Sequence, residues 1–478
     1  MESLIVFSRK QLVENTLQSL VIGTLLTVLL YFIGNEIIRS RSRIAGLKGP
    51  RGLPIFGNLL DIWSNAALKY QEWAKEYGDV YQVASSTAGF TIGTSPYDDS
   101  LKRKKKAAAV ALNRPAIKTY VPYLDLETKT FIQDLFNYGK AGTVAVDPLP
   151  FVQRVSLSLM TTINWGVRIS SIEDELFREI VSVEEGLNKT RSTVGNTQDH
   201  IPLLRLNPFS QKSALARQLR QRRDIYLAKL NRELAEKVAN GTNKPCIQAS
   251  VIKYKEVQLS DTELVAFSLS VLGGGFETVS TTVQWSIAYF AQHPEIQDKA
   301  YAEIQQFQGS NEPLCDAADD QKCAYVLALV KEALRYFSVI PLALPRASIR
   351  DVEYNGIVIP SGSTVYMNAW ACNHDPELWS EPDRFLPERW LEKPDATLFT
   401  FGLGYRMCAA HILATREVYI IFMRLLSSFR FVSSGDIKCD PSVDMVNPKD
   451  LIMVPKPYSV FCVPRDEEKL RAALEKSE

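Results

Sequence analysis

The chain has few of the features that would indicate a disulfide framework, a histidine metal site or a nucleic-acid-binding protein. Its seven cysteines are scattered without paired spacing, which does not suggest a disulfide framework or a zinc site and fits a reducing compartment. Its four histidines show no ligand spacing, and its net charge of +1 argues against a nucleic-acid partner. Internal repeats and low-complexity segments are absent from the sequence. With 46% hydrophobic residues, the composition agrees with a large enzyme body.

One cysteine stands in a distinctive loop. In the segment from Phe399 to Ala410, Cys408 follows Gly402, Gly404 and Arg406. The glycines let the backbone approach a flat ligand, and the arginine can pair with an acidic group of that ligand. Helically spaced apolar residues follow, so the sulfur is expected near a helix N-terminus, where the dipole lowers a thiol pKa. Haem iron needs such a thiolate if oxygen is to be cleaved. The alternative is a structural cysteine buried in a turn.

Two further motifs precede this loop and carry charged residues. Glu332 and Arg335 lie three residues apart, which places them on one face of a predicted helix. Arg389 follows in the segment Pro387-Glu388-Arg389-Trp390. By itself, an ion pair at such spacing is a common surface feature that contributes little stability.

A third motif interrupts a long apolar helical run from Leu264 to Phe290. It reads Gly274-Gly275-Phe276-Glu277-Thr278, and two glycines inside a helix cost roughly 1 kcal/mol each, so a compensating gain is expected. Either the glycines allow close helix packing, or they make room beside a bound ligand. In the second case Thr278 can bond the carbonyl four residues back or release it, which loosens the helix there.

These motifs, in this order, resemble the cytochrome P-450 superfamily. Phe401, Gly404, Arg406 and Cys408 match its haem-binding loop, with Ala410 where the family usually has glycine. The resemblance implies a haem b group whose iron is bound by Cys408. It also implies that the propionates of the haem are held by arginine or lysine side chains, here Arg406, Arg346 and Lys105.

Lys105 lies in a basic run, Lys102 to Lys106, which need not be a ligand-binding segment. Such a run is often a solvated helix face or a localisation signal. By resemblance this is the third helix of the family, where a Trp-x-x-x-Arg pattern binds a propionate, and Leu101 and Lys105 occupy the two positions here. A lysine pairs with a carboxylate as a point charge, without the guanidinium fork.

The other two motifs receive roles by the same resemblance. Glu332, Arg335 and Arg389 are expected to form a buried ionic triad behind the haem, a device for specificity and assembly more than for stability. Glu277 and Thr278 are expected to relay protons during oxygen activation, in a general-acid role. The presence of both argues for an O2-using monooxygenase and against the members that rearrange peroxides.

A finer resemblance concerns the substrate. Gly93 to Pro96, Ala107 to Asn113, Thr119 to Pro122 and the Cys408 loop look like the fungal phenylacetate and hydroxyphenylacetate hydroxylase branch. It implies hydroxylation of a small aromatic substrate or of an aromatic secondary metabolite. Electrons are expected from NADPH through a separate cytochrome P-450 reductase, with a b-type cytochrome as a further partner. Four residues are expected to contact the substrate: Phe276, Ile340, Leu342 and Leu344.

The N-terminal region predicts membrane attachment. Leu17 to Gly34 is just long enough to cross a bilayer, and it lacks an evident cleavage site. Basic residues are more numerous after it than before it, so the positive-inside rule leaves the body of the chain in the cytosol. The proline-rich stretch Gly49 to Pro54 resembles the hinge of microsomal family members. We therefore expect a single-pass protein of the endoplasmic reticulum membrane; the alternative is a buried helix of a soluble protein.

The fold class expected is mainly α with a small β portion, the cytochrome P-450 fold, preceded by a membrane helix. Two strands are predicted at 352–359 and 363–369, joined by the turn at 360–362, and the stretch from Val454 to Val463 is predicted as strand and loop. Five regions are expected: an N-terminal segment 1–16, a transmembrane helix 17–38, a basic hinge 39–58, a haem-thiolate monooxygenase domain 59–464 and a charged tail 465–478.

One departure from the family pattern lies between Asn58 and Leu101, where roughly forty residues are missing by resemblance. Val83 is followed almost at once by Ser85 to Phe90, whereas the family has strands, a helix and a substrate-facing loop. Lost strands would leave backbone groups unpaired, so weak haem binding or poor expression is expected. The alternative to an active enzyme is therefore a defective or non-catalytic, membrane-tethered haem-binding protein.

Overall fold

The architecture is mostly helical, as expected for the fold class. In the computed structural model, residues 2–54, 56–83, 96–190, 211–253 and 259–476 are described. The predicted gap after Val83 and the stretch from Ser85 to Phe90 lie outside these residues. The helices of the described part are α1 Glu2–Arg41, α2 Ala66–Tyr77, α3 Asp99–Ala111, α4 Arg114–Tyr138, α5 Leu149–Trp165, α6 Glu175–Thr190, α7 Gln211–Ala239, α8 Ile247–Lys253, α9 Asp261–Gln292, α10 Pro294–Gln308, α11 Ala324–Phe337, α12 Ala369–Asn373, α13 Arg389–Glu392, α14 His411–Ser428 and α15 Glu467–Glu475.

Side-chain caps account for several helix starts. Asn65 accepts a hydrogen bond from the Leu68 amide at the start of α2, and Asn113 accepts one from Ala116 at the start of α4. The long helix α9 begins with a capping box, in which Ser260 and Glu263 each accept from the backbone amide of the other. These caps satisfy amides that a helix cannot pair within itself.

The strands form small antiparallel pairs, and one predicted strand is corrected. Within the described residues they are β1 Arg346–Ala347, β2 Val352–Tyr354, β3 Ile357–Ile359, β4 Thr364–Val365, β5 Phe429–Ser433 and β6 Val460–Pro464. The predicted strand at 352–359 is a hairpin, β2 with β3, because Asn355 and Gly356 both adopt positive φ and turn the chain. The strand that is predicted at 363–369 is observed as β4. It pairs with β1 and not with the segment 352–359 that is predicted to precede it.

The core is built around α9, which packs along α5. A Cβ added at Gly275 would collide with the Met160 sulfur of α5, so the two helices approach closely at this glycine. Trp285 stacks on Phe337 of α11, and Phe290 contacts Phe422 of α14 edge-on. The helix α9 is therefore held between the elements that carry the other sequence motifs.

The N-terminal helix extends beyond the predicted membrane segment 17–38, since α1 runs from Glu2 to Arg41. Its span from Gln18 to Arg41 is apolar enough to cross a membrane, and none of that window is buried in the protein. The helix α9 passes the same test of length and composition, but 44% of its apolar window is buried in the core. We therefore assign α9 to the soluble core and α1 to the candidate anchor.

Candidate functional site: a cysteine loop facing a cationic cluster

The loop that carries Cys408 is shaped by two glycines. Gly402 and Gly404 have φ values of 73° and 62°, a region that residues with a Cβ rarely adopt. They separate two short 3-10 turns, Phe399–Phe401 and Gly404–Arg406. The Cys408 amide then donates to the Phe401 carbonyl at 2.8 Å, which closes the loop. The sulfur is thereby fixed just before α14, which begins at His411.

The thiol itself is open to a ligand. Cys408 as a whole residue keeps exposed surface, although the surrounding protein desolvates its thiol. Burial raises the pKa of the Cys408 thiol, and a hydrogen bond from the Ala410 amide offsets only part of that rise. This corrects the lowered pKa of the thiol that the helix N-terminus suggested, because the desolvation of Cys408 has the larger effect. A coordinating metal ion would deprotonate such a thiol.

Three cationic side chains converge beside this loop. Burial lowers the pKa of Lys105, and the charges of Arg406 and Arg346 lower it further. Burial likewise lowers the pKa of Arg346, and again the charge of Arg406 adds to the effect. Lys105 donates to the Tyr405 carbonyl and lies 3.9 Å from the centre of the Tyr405 ring. The structure thus brings all three predicted propionate-binding residues together, with mutual repulsion that an anionic ligand would relieve.

The two glycines of α9 have different surroundings. A Cβ at Gly274 would meet no atom within 4 Å, whereas one at Gly275 would collide with Met160. Thr278 is partly exposed, and its hydroxyl donates to the Gly274 carbonyl at 2.8 Å. Glu277 is buried next to it. Gly275 therefore permits close helix packing, whereas Gly274 borders open space beside Thr278, and its role beside a bound ligand stays a prediction.

The ionic triad forms as a buried cluster. Arg335 donates to both carboxylate oxygens of Glu332, at 2.8 and 2.9 Å, and Arg389 donates to one of them at 3.2 Å. The Leu386 amide and the Trp390 indole also donate to Glu332, at 2.7 and 2.9 Å. The sequence reasoning did not name these last two donors, although both belong to the motif around Arg389. The triad joins α11 to the segment that leads into α13.

Two of the four predicted substrate contacts, Phe276 and Leu342, are buried. Phe276 is fully buried in the core, on the side of α9 opposite Gly274 and Thr278, because a step of two residues turns a helix by about 200°. Leu342 is buried in a separate cluster with Leu59, Trp73 and Trp370. Neither residue has surface to offer a substrate in this structure.

Ile340 and Leu344 are different, since both keep part of their side chains exposed. They flank Leu342 in the segment between α11 and β1, and β1 begins with Arg346 of the cationic cluster. Of the four predicted substrate contacts, these two remain available to a ligand.

A comparison with protein families identifies the class of this protein. The cytochrome P450 family profile matches residues 95–461. The chain therefore belongs to the cytochrome P450 family of haem-thiolate monooxygenases, which use O2. A haem group fits the residues present, because Cys408 would supply a sulfur ligand for the iron, the three converging cations would pair with the propionates, and there is open space beside Gly274 on α9.

Individual relatives are similar to this chain over most of their length. The 3-hydroxyphenylacetate 6-hydroxylase of Emericella nidulans is 50% identical over 98% of this chain and 99% of its own length. The phenylacetate 2-hydroxylase of the same organism is 36% identical over 96% and 98% of the two chains. Cytochrome P450 1A1 of Cavia porcellus is 26% identical over 83% and 88%. These similarities favour the monooxygenase over the alternative of a non-catalytic haem-binding protein.

Proposed function

We propose that this cytochrome P450 hydroxylates the ring of a small aromatic acid of the hydroxyphenylacetate type. The observation that carries the proposal is the 50% identity, across almost the entire chain, with an enzyme named as a 3-hydroxyphenylacetate 6-hydroxylase. The second hydroxylase of the same substrate class, at 36% identity, supports the class of substrate more than its particular member.

In this proposal the cofactor site is built by four side chains. Cys408 would bind the haem iron through its sulfur, and Arg346, Arg406 and Lys105 would bind the propionates, the last as a point charge. Phe401 and Gly404 shape the loop behind the sulfur. When bound, the haem supplies the oxygen-activating chemistry, and the protein supplies binding, orientation and proton delivery.

Glu277 and Thr278 are proposed to deliver protons. The Thr278 hydroxyl now donates to the Gly274 carbonyl, so it needs only a rotation about χ1 to face the open space beside that glycine. Buried Glu277 is adjacent to it and can resupply the proton. The two residues thus form a short donor pair next to the open space at Gly274.

The proton role is tested with Thr278→Ala. Removal of the hydroxyl is expected to lower product formation about 10²-fold while oxygen uptake continues, because reduced oxygen is then released as peroxide. Thr278→Ser is the matched control and is expected to retain most of the coupling between NADPH oxidation and product. Equal coupling in Thr278→Ala and the unmodified protein would contradict the assignment.

The partners follow from the family and the N-terminal helix. We propose that electrons come from NADPH through a cytochrome P-450 reductase, with a b-type cytochrome as a second donor. The apolar and unburied span from Gln18 to Arg41 supports single-pass attachment to the endoplasmic reticulum membrane. The basic residues Arg39 and Arg41 in its last turn support a cytosolic body.

The main experiment is a ferrous–carbon monoxide difference spectrum of the purified protein, followed by titration with aromatic acids. A strongly red-shifted Soret band is expected, and Cys408→Ser is expected to abolish it, whereas Cys372→Ser, a half-buried cysteine elsewhere, is expected to retain it. A spin-state shift with 3-hydroxyphenylacetate and product formation with reductase would support the substrate class. Binding of haem without turnover of any aromatic acid would refute it.

A further inference from the structure

A buried carboxylate reaches the long helix α9 beside its open space. Glu184 of α6 is 2% exposed, and its Oε1 accepts a hydrogen bond from the Tyr226 hydroxyl of α7 at 3.0 Å. A Cβ built at Gly273 would lie 3.4 Å from the other oxygen, Oε2, and would meet that oxygen alone within 4 Å. The next residue, Gly274, borders the open space beside Thr278. The Glu184 carboxylate therefore lies next to the space that a ligand on α9 would occupy.

The helices α6 and α7 hold this carboxylate in place. Arg222 of α7 donates to both carboxylate oxygens of Glu179 on α6, at 2.9 and 2.6 Å. A Cβ at Gly186 would collide with the Leu219 side chain, so the two helices are in close contact. Because α6 is fixed against α7, the Glu184 side chain keeps one orientation.

The carboxylate has room for a further hydrogen-bond donor. Among the described residues, the Tyr226 hydroxyl is the one donor recorded for Glu184, whereas an ionised carboxylate can accept about four hydrogen bonds. The buried Asn188 side chain lies one turn further along the same face of α6, and its Oδ1 has no hydrogen-bond partner in the described part of the chain. Buried polar groups are normally paired, so these two acceptors indicate that a bound molecule supplies donors here.

We propose that Glu184 recognises a hydroxyl group on the aromatic ring of the substrate, by accepting its hydrogen bond through Oε2. A phenol is a good donor to this oxygen, since hydrogen bonds to ionised acceptors are about twice as strong as neutral ones. The acid group of the substrate lies away from α6, because two carboxylates repel each other. Glu184 thus makes the enzyme select hydroxylated phenylacetates over phenylacetate itself. The inference rests on the proposed function and adds the side chain that selects among its substrates.

Two ligands of similar size test this selection. The full chain with bound haem is titrated with 3-hydroxyphenylacetate and with 3-fluorophenylacetate, in which a weak acceptor replaces the donor. The spin-state shift gives each Kd, and equilibrium dialysis gives a second value that does not depend on the haem signal. The unmodified protein is expected to bind the hydroxyl compound about 10- to 100-fold more tightly, because fluorine leaves the carboxylate unpaired.

The variant Glu184→Gln then changes the polarity of the contact with little change in size. Its amide oxygen can still accept from Tyr226, and its NH2 group now offers a donor where Oε2 stood. The preference for the hydroxyl compound is therefore expected to fall at least about tenfold. Glu185→Gln is the matched control, at the adjacent exposed glutamate that accepts from Gln153 at 2.9 Å, and it is expected to keep the full preference.

The outcomes separate the role of Glu184 from the proposed function. Equal affinity for the two ligands in the unmodified protein overturns the role of Glu184, whether or not the variants fold. So does an undiminished preference in Glu184→Gln, or an equal loss of preference in Glu185→Gln. In each of these cases turnover of an aromatic acid leaves the proposed function in place. Selective binding without turnover of any aromatic acid refutes the proposed function and supports Glu184, and failure of every aromatic acid to bind overturns both.

Discussion

At the scale of single residues, Glu417 is a carboxylic acid that the fold keeps in its neutral form. It lies on α14 with no exposed surface, and Ser156 of α5 donates to it at 2.9 Å. Burial raises the pKa of Glu417 to about 8, and the hydrogen bond from Ser156 only partly opposes this. A neutral carboxyl in this position avoids the cost of a charge in the core.

This protonation predicts a dependence of stability on pH. The unfolded chain releases the Glu417 proton near pH 4.3, whereas the folded chain keeps it up to about pH 8. The folded state therefore binds more protons between these values, and the contribution of Glu417 to the free energy of unfolding falls as the pH rises through this window. In Glu417→Gln this decline is expected to be absent when urea unfolding is measured from pH 5 to pH 9.

The matched control is Glu417→Asp, which retains an ionisable group and is expected to retain a pH-dependent decline. Ser156→Ala provides a second comparison, since it removes the hydrogen bond and leaves the carboxyl in place. An identical pH profile in Glu417→Gln and the unmodified protein would show that other groups determine the profile.

At the scale of elements, the neighbouring glycines of α9 give opposite predictions. Gly275→Ala is expected to cost about 1–3 kcal/mol, because its new methyl group would collide with the buried Met160 side chain of α5. Gly274→Ala meets no neighbour, so the protein is expected to gain up to about 1 kcal/mol from helix propensity. Urea unfolding of the two variants measures both effects.

The same two variants test whether Gly274 lies beside the bound substrate. Gly274→Ala is expected to alter the spin-state response to aromatic acids, because its methyl group enters the open space beside Thr278. Gly275→Ala, where folded, is expected to bind the same acids as the unmodified protein. The reverse assignment of stability and ligand effects would contradict the positions of the two glycines.

The buried triad is the second element-scale feature, because it joins α11 to the segment that begins α13. Glu332→Gln removes the negative charge that the buried Arg335 and Arg389 share. It also places an NH2 group, itself a donor, among side chains and amides that donate to this position, which include Trp390 and Leu386. A loss of about 3–5 kcal/mol in the free energy of unfolding is expected.

An exposed pair of the same spacing serves as its control. Glu381 and Arg384 are also three residues apart, but both side chains are more than half exposed. Glu381→Gln is therefore expected to cost less than about 1 kcal/mol. Similar losses in the two variants would mean that burial does not decide the value of the triad.

At the scale of the whole molecule, the chain is shorter than its relatives. The alignment with the 3-hydroxyphenylacetate 6-hydroxylase runs over 510 positions, and this chain has 478 residues, so at least 32 positions have no counterpart here. The family profile begins to match only at residue 95. Both observations are consistent with the predicted gap after Val83.

We expect that the gap weakens haem retention. Insertion of the corresponding residues of that relative after Val83 is expected to raise the haem content per chain, because restored strands pair backbone groups and cover apolar neighbours. Haem content is measured as the ratio of Soret to protein absorbance after gel filtration. A glycine–serine insert of equal length is the control, and no gain from the relative's segment over this control would refute the expectation.

The sequence was sufficient for the class of fold, for the long helix that includes Leu264 to Phe290 and for the glycine-containing loop before Cys408. Local patterns carry this information, because glycines with positive φ, capping residues and helical spacing act within a few residues. It was also sufficient for the three residues of the triad, once the motifs were considered together by resemblance.

Other properties depended on neighbours that are distant in the chain. Tertiary packing decided the pKa of the Cys408 thiol and the different surroundings of Gly274 and Gly275. It also decided the burial of Phe276 and Leu342 and the pairing of β4 with β1. The convergence of Lys105 with Arg346 and Arg406 was likewise decided by three separate elements. Desolvation and steric contact depend on what the fold brings near a residue, so no local pattern could have specified them.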